Sequence, residues 1–338
     1  MEAITRGSDA NEFLRITYIA EFNHKFAIPE TRRTMNLHLP IDQSNPLVPL
    51  HAPHSIECPV FCIPGAGASV TSFVEFVNAL GEQWPIYGLQ PRGIDVTEQP
   101  HASVEDAALY NLHALTRFNL TRPIHLLGHS HGGLVAFDMA LRLHEQGRRV
   151  ASLTLIDTEP PDSIGEAPRQ FSTAELFREF TEAFEDTFNK ALNIDQTVIA
   201  SGNAQLFVDE LNAALIRARV LPLRNNASML HGSLATFIAA RNCRYIPDRS
   251  YANTLRLVLV GPRSNRRVSM DEVRGKWGIY AAKWRRHAAA VDIWYGPGHH
   301  FSILQAPQVS SLAKWWQQAT ALPANVPLKQ FAGNGDDV

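Results

Sequence analysis

The chain has 338 residues, 45% hydrophobic and 19% charged, with a formal net charge of -2. That balance leaves no basic surplus for gripping nucleic acid or an anionic membrane, and 20 Gly with 21 Pro are too few for a collagen-like or low-complexity chain. Three cysteines cannot staple a chain of this size, and Cys58 and Cys62 have no second pair to complete a zinc site, so a reducing, cytoplasmic setting is expected.

The first fifteen residues, MEAITRGSDANEFLR, lack the apolar core of a secretory signal, and no run approaches the ~18 apolar residues of a membrane span. FLRITYIAEF at 13–22 is compatible with a short strand or helix. From Pro29 to Pro53, prolines at 29, 40, 46, 49 and 53 prevent any long helix, because each lacks an N–H donor. Residues 1–57 therefore read as an N-terminal extension, a linker or a strap across the main body.

From residue 58 short apolar runs alternate with helical segments. The runs are PVFCI (59–63), PIYGL (85–89), PIHLLG (123–128), VASLTLI (150–156), LRLVLVG (255–261) and AVDIWYG (290–296). Apolar on both faces and five to seven residues long, they have the character of buried parallel strands. Ser72, Ser103 and Ser172 each precede a carboxylate by three residues, the spacing of a capped helix start, and Gly147 closes the helix that begins near residue 131. The alternation predicts an α/β fold with a mostly parallel central sheet flanked by helices.

Almost a hundred residues separate the strands ending at Ile156 and starting at Leu255, too many for one crossover. They read as helical at 173–188, 205–220 and 229–242. Phe177, Phe180, Phe184 and Phe188 recur at spacings of three and four, a stripe suited to packing on the rest of the protein or to lining an apolar pocket.

Gly128-His129-Ser130-His131-Gly132 follows an apolar run and opens a helix. A strand-to-helix turn with serine at its apex holds the hydroxyl out at the carboxyl end of the sheet, and the helix N-terminus aims N–H groups at developing negative charge. A serine hydroxyl needs a base, and the base needs an orienting carboxylate. Asp157 ends the next apolar run, whereas after LRLVLVG no carboxylate appears until Asp271, so Asp157 is the expected acid. GPGHHF (296–301) offers His299 and His300 as the base, and the residues alone leave the two open. Two N–H donors are needed for an oxyanion: the amide of His131, and one from the loop 64–68, with Ala66 ahead of Gly65. His125, His129 and His131 diverge along a strand and a turn, so structural or pocket-lining roles are expected for their side chains and no metal site.

With these residues in place, 58–315 resembles the thioesterase domains of non-ribosomal peptide and polyketide synthases, of the α/β-hydrolase superfamily. The resemblance rests on VFCIPGAGAS (60–69), PIYGLQPRG (85–93), LLGHSHGGLVAFDMALRL (126–143), SLTLIDTEPP (152–161) and GHHFSIL (298–304). It implies Ser130 as nucleophile, Asp157 as acid, His300 as base, and Ala66 and His131 as oxyanion donors. It further implies a domain over 58–325, a helical lid inserted at about 160–248, and a flexible tail at 326–338. The implied substrate is an acyl or peptidyl chain on the phosphopantetheine of a carrier protein, with no bound cofactor and no metal. Release by hydrolysis or macrocyclisation would proceed through an acyl-enzyme. A free-standing editing thioesterase and a general esterase for small diffusible esters are the competing expectations. The sequence departs from the family at His299, where aspartate is frequent, and at His131, where a bulky apolar residue is usual. Residues 1–57 carry no carrier-domain serine motif, so no phosphopantetheine attachment is expected there.

Overall fold

The computed structural model describes residues 45–52, 58–116, 122–223, 227–262 and 268–321. The readings for 13–22, for Pro29, Pro40 and Pro53, and for the 326–338 tail lie outside them. Seven strands form one sheet: β1 (Leu47–His51), β2 (Val60–Ile63), β3 (Ile86–Leu89), β4 (Ile124–His129), β5 (Val150–Ile156), β6 (Tyr251–Gly261) and β7 (Ala288–His299). Their spatial order is β1-β3-β2-β4-β5-β6-β7, and every pairing is parallel except β1 with β3.

The central strands β2, β4 and β5 and the second half of β6 are mainly apolar because both faces of the sheet are covered there. Along β2, Phe61 and Ile63 point to one side and Val60 and Cys62 to the other; Leu257 and Leu259 alternate with Val258 and Val260 along β6 in the same way. The first face is packed by α2 (Val104–Leu115), α3 (His131–Glu145) and α8 (Met270–Trp284), the second by α1 (Val74–Leu80) and α9 (Gln308–Ala321). Full burial of such a side chain stabilises by about 1.5–3 kcal/mol, so this two-period alternation fixes the register of the sheet.

Two details differ from the sequence reading. Leu47–His51, read as part of an extension or strap, is an antiparallel edge strand, where a proline such as Pro49 is tolerated because a ladder donor is needed on one side only. Ser72 caps no α-helix: Ser69 accepts from the Thr71 amide to start a 3-10 turn at Val70–Phe73, which runs into α1. Ser103 and Ser172 cap as expected. Ser103 accepts from the Asp106 amide, and Ser172 with Glu175 completes a reciprocal capping box.

Between β5 and β6 stand α4 (Thr173–Phe188), a short α5 (Gln196–Ser201), α6 (Ala204–Arg217) and α7 (Ser228–Asn242). They hold a core of their own. Phe177 stacks on Phe207 at 4.1 Å, and Phe180 packs against Phe184 and Phe237. The aromatic stripe thus divides its work: Phe177 is buried within the helical layer, whereas Phe180, Phe184 and Phe188 also face a cavity.

Candidate active site

β4 delivers Ser130 to the carboxyl edge of the sheet, and α3 starts at the next residue. Ser130 sits at φ 53°, ψ -127°, a sparsely populated conformation for a residue with a side chain, which costs about 1–3 kcal/mol and must be imposed by its surroundings. They do impose it. The Ser130 amide donates to the Ile156 carbonyl at 2.8 Å, and the Gly133 amide returns to the Ser130 carbonyl at 2.9 Å. A Cβ on Gly128 would collide with the backbone of Gly132 and Gly133, and one on Gly132 with the carbonyls of Ile63 and Pro64. Only glycines let the strand, the turn and the neighbouring loop approach this closely.

One strand over, Asp157 leaves β5 at φ 44°, its amide donating to the Val258 carbonyl at 2.8 Å. Its carboxylate accepts from His300 Nδ1 at 2.7 Å, joining residues 143 apart in sequence. Burial pushes the Asp157 carboxyl up, but the His300 hydrogen bond and charge, with Lys276 and His129 adding, outweigh it and hold the carboxyl below its ordinary value. The side chains are only 13% and 28% exposed, so solvent screens the pair weakly. Of the two candidate histidines, His300 is therefore the one that meets Asp157, whereas the His299 amide donates to Ser302 Oγ in the turn after β7. Asp271 lies at the start of α8, exposed and paired with Arg274. Ser130 and His300 face the same cavity, but among the described residues no hydrogen bond joins the serine hydroxyl to the imidazole. Such contacts commonly tighten only when substrate is bound.

The loop after β2 lies directly against the elbow. A Cβ on Gly65 would come within 3.1 Å of Ser130 Cβ, and the turn is closed by the Ala68 amide donating to the Gly65 carbonyl at 3.1 Å. Ala66 lines the cavity beside Ser130. The His131 amide is the first of α3, where a helix leaves its donors without intrahelical partners.

The three histidines of this region go separate ways. His125 is buried among Trp84 and Trp316 and shares a 2.7 Å hydrogen bond with Ser152 Oγ. His131 lines the cavity. His129 is buried, and its Nε2 donates to the His300 carbonyl at 2.8 Å while the two rings lie 4.7 Å apart. Burial and the His300 charge lower its pKa to about 3, so it stays neutral, and the proton sits on Nε2 because a carbonyl only accepts. Sequence reasoning gave His129 a structural or pocket-lining role without seeing that it holds the backbone of His300, a contact across 171 positions that no local pattern signals.

The cavity has a volume of about 880 Å³. Its apolar lining includes Phe180, Phe184, Phe188, Leu230 and Phe237. Paired charges also line it: Arg169 with Glu159, which also accepts from the Tyr280 hydroxyl, and Arg241 with Glu179. Lys276 stands over the Tyr280 ring at 5.0 Å. Among the described residues, no cluster of three or more His, Cys, Asp or Glu side chains could hold a metal, and no helix is long and apolar enough to cross a membrane.

The family model that matches this chain is the thioesterase domain, over residues 58–318. The chain belongs to the thioesterase domain family. Curated relatives include a dimodular nonribosomal peptide synthase of Bacillus subtilis, 30% identical over a 168-residue alignment that covers 42% of this chain and 7% of the relative. Vanchrobactin synthetase VabF of Vibrio anguillarum is 37% identical over 106 residues, 30% of this chain and 4% of that synthetase. The chain thus spans a small fraction of the length of these relatives. Among solved structures, the four-domain nonribosomal peptide synthetase holo-AB3403 superposes with a TM-score of 0.68 at 20% identity, covering 82% of this chain and 20% of that one. The Vlm2 thioesterase domain superposes with a TM-score of 0.58 at 20% identity, covering 82% and 98%. The thioesterase domain has the α/β-hydrolase fold expected from the sequence, and family membership makes it a hydrolase.

Proposed function

We propose that this thioesterase domain releases an acyl or peptidyl chain from the phosphopantetheine thioester of a carrier protein through a serine acyl-enzyme. The observation that carries the reading is the 2.7 Å contact between His300 Nδ1 and Asp157, on the rim of the cavity that Ser130 enters from its strained turn. The Asp157 carboxylate fixes the tautomer with the proton on Nδ1, leaving His300 Nε2 free to take the Ser130 proton. Ser130 Oγ then attacks the thioester carbonyl, and the oxyanion is met by the amides of Ala66 and His131. As the C–S bond breaks, His300 gives the proton to the departing thiolate, which leaves as the thiol. Water, or a hydroxyl or amine of the chain itself, next loses its proton to His300 and attacks the ester carbonyl, and His300 returns that proton to Ser130 Oγ as its bond to the acyl group breaks.

The helical layer at about 160–248 acts as a lid in this reading, and its apolar wall receives the chain. Relatives that are nonribosomal peptide synthetases support a carrier-bound substrate. Intact mass spectrometry after mixing with an acyl-pantetheine thioester tests the reading. A transient adduct of the acyl mass, absent in Ser130→Ala, is expected. Turnover of small oxyesters as fast as acyl-pantetheine thioesters, with no gain from a carrier, would instead identify a general esterase.

A further inference from the structure

Among the described residues, the His131 ring stands apart from its neighbours His125 and His129 in having no hydrogen-bond partner. His125 has Ser152 Oγ and His129 has the His300 carbonyl, whereas the His131 ring has no hydrogen-bond or ion-pair partner among the described residues and lines the cavity one residue beyond Ser130. Burial, with the Arg241 charge adding, lowers its pKa to about 4, so at neutral pH the ring offers one donor and one acceptor and no charge. Arg241 is already held by Glu179, at 2.8 and 3.2 Å, and lies over the Phe171 ring. A cationic substrate group beside His131 would meet that guanidinium, and an anionic one would gain little from a neutral ring and an already neutralised arginine. An uncharged group that both donates and accepts fits best. Because His131 adjoins the nucleophile, such a group must lie within the first few atoms of the acyl chain.

We propose that the His131 imidazole is a specificity-determining group that hydrogen-bonds an amide adjacent to the thioester carbonyl, so that aminoacyl-terminated peptidyl chains are preferred over plain alkyl chains. The proposal rests on Ser130 being the nucleophile. An alkyl chain would leave the imidazole desolvated and unpaired, and a site built to bond a polar group discriminates strongly against the analogue lacking it.

Two thioesters of equal chain length test it, N-hexanoylglycyl-pantetheine and nonanoyl-pantetheine, which differ by the amide alone. The wild-type protein is expected to favour the amide substrate in kcat/KM by about 10- to 100-fold, the range set by one unmade buried hydrogen bond. His131→Leu, which keeps the backbone amide, should bring the ratio close to one whatever its effect on the rate common to both substrates, and His131→Gln, which still donates and accepts, should restore most of the ratio. The labelling rate of Ser130 by a fluorophosphonate, read in parallel, reports the elbow itself. A wild-type ratio near one, or an unchanged ratio in a His131→Leu protein that still labels, overturns the proposal while leaving the nucleophile standing. Absence of labelling in the wild type overturns both.

Discussion

Asp157→Asn keeps the shape of the side chain and removes the charge that faces His300. In the wild type the carboxylate accepts from Nδ1 at 2.7 Å, with the two side chains 13% and 28% exposed. In the proposed mechanism an imidazolium forms beside this carboxylate when His300 takes the serine proton. Losing one partner of a partly buried charged pair costs about 3–5 kcal/mol, and each 1.36 kcal/mol is tenfold in rate, so kcat should fall by about 10²- to 10⁴-fold. KM should change little, because the Asp157 carboxylate is engaged with His300 Nδ1. The assay is single-turnover acylation by an acyl-pantetheine thioester, with fluorophosphonate labelling as a second readout. Stability should respond as well. The folded-state pKa of Asp157 is lowered, so its contribution is present above the unfolded carboxylate value, about 3.9, and is lost as pH falls through the folded one. Acid unfolding of Asp157→Asn should lack that component. An Asn variant acylated within about threefold of the wild-type rate would refute the role assigned to the pair.

Other positions respond in distinguishable ways. His129→Phe fills the space but removes the donor to the His300 carbonyl; kcat should drop about tenfold or more, as for one lost buried hydrogen bond, with KM nearly constant, and steady-state kinetics would show it. Gly132→Ala drives a Cβ into the Ile63 and Pro64 carbonyls; a loss above about 2 kcal/mol in denaturant unfolding is expected, and a neutral result would contradict the close packing of the elbow. Phe177→Ala removes a ring stacked on Phe207 in the helical layer; a loss of about 3–5 kcal/mol is expected, and a change below about 1 kcal/mol would mean that the layer collapses into the cavity without cost.

The sequence made the sheet legible because its strands are buried on both faces, so PIHLLG and LRLVLVG stand out as unbroken apolar runs. β1 escaped because Pro46 and Pro49 signal a break, and only a solvent-facing edge tolerates them. At α1, Ser72 and Ser69 both carry the hydroxyl of a cap, and only the 3-10 turn decides between them. Ser130 and Asp157 could be placed because each ends an apolar run at the same edge of the sheet. The contact of His129 with the His300 carbonyl, and the lack of a partner for the His131 ring among the described residues, depend on where distant segments meet. Residue spacing holds no trace of either.

The most direct measurement is site-resolved labelling by a fluorophosphonate, followed by peptide mapping. The account predicts one covalent adduct, on Ser130, formed fast in the wild type, slowly in Asp157→Asn and His300→Ala, and not at all in Ser130→Ala. An adduct on another residue, or undiminished labelling without Asp157 or His300, would contradict it.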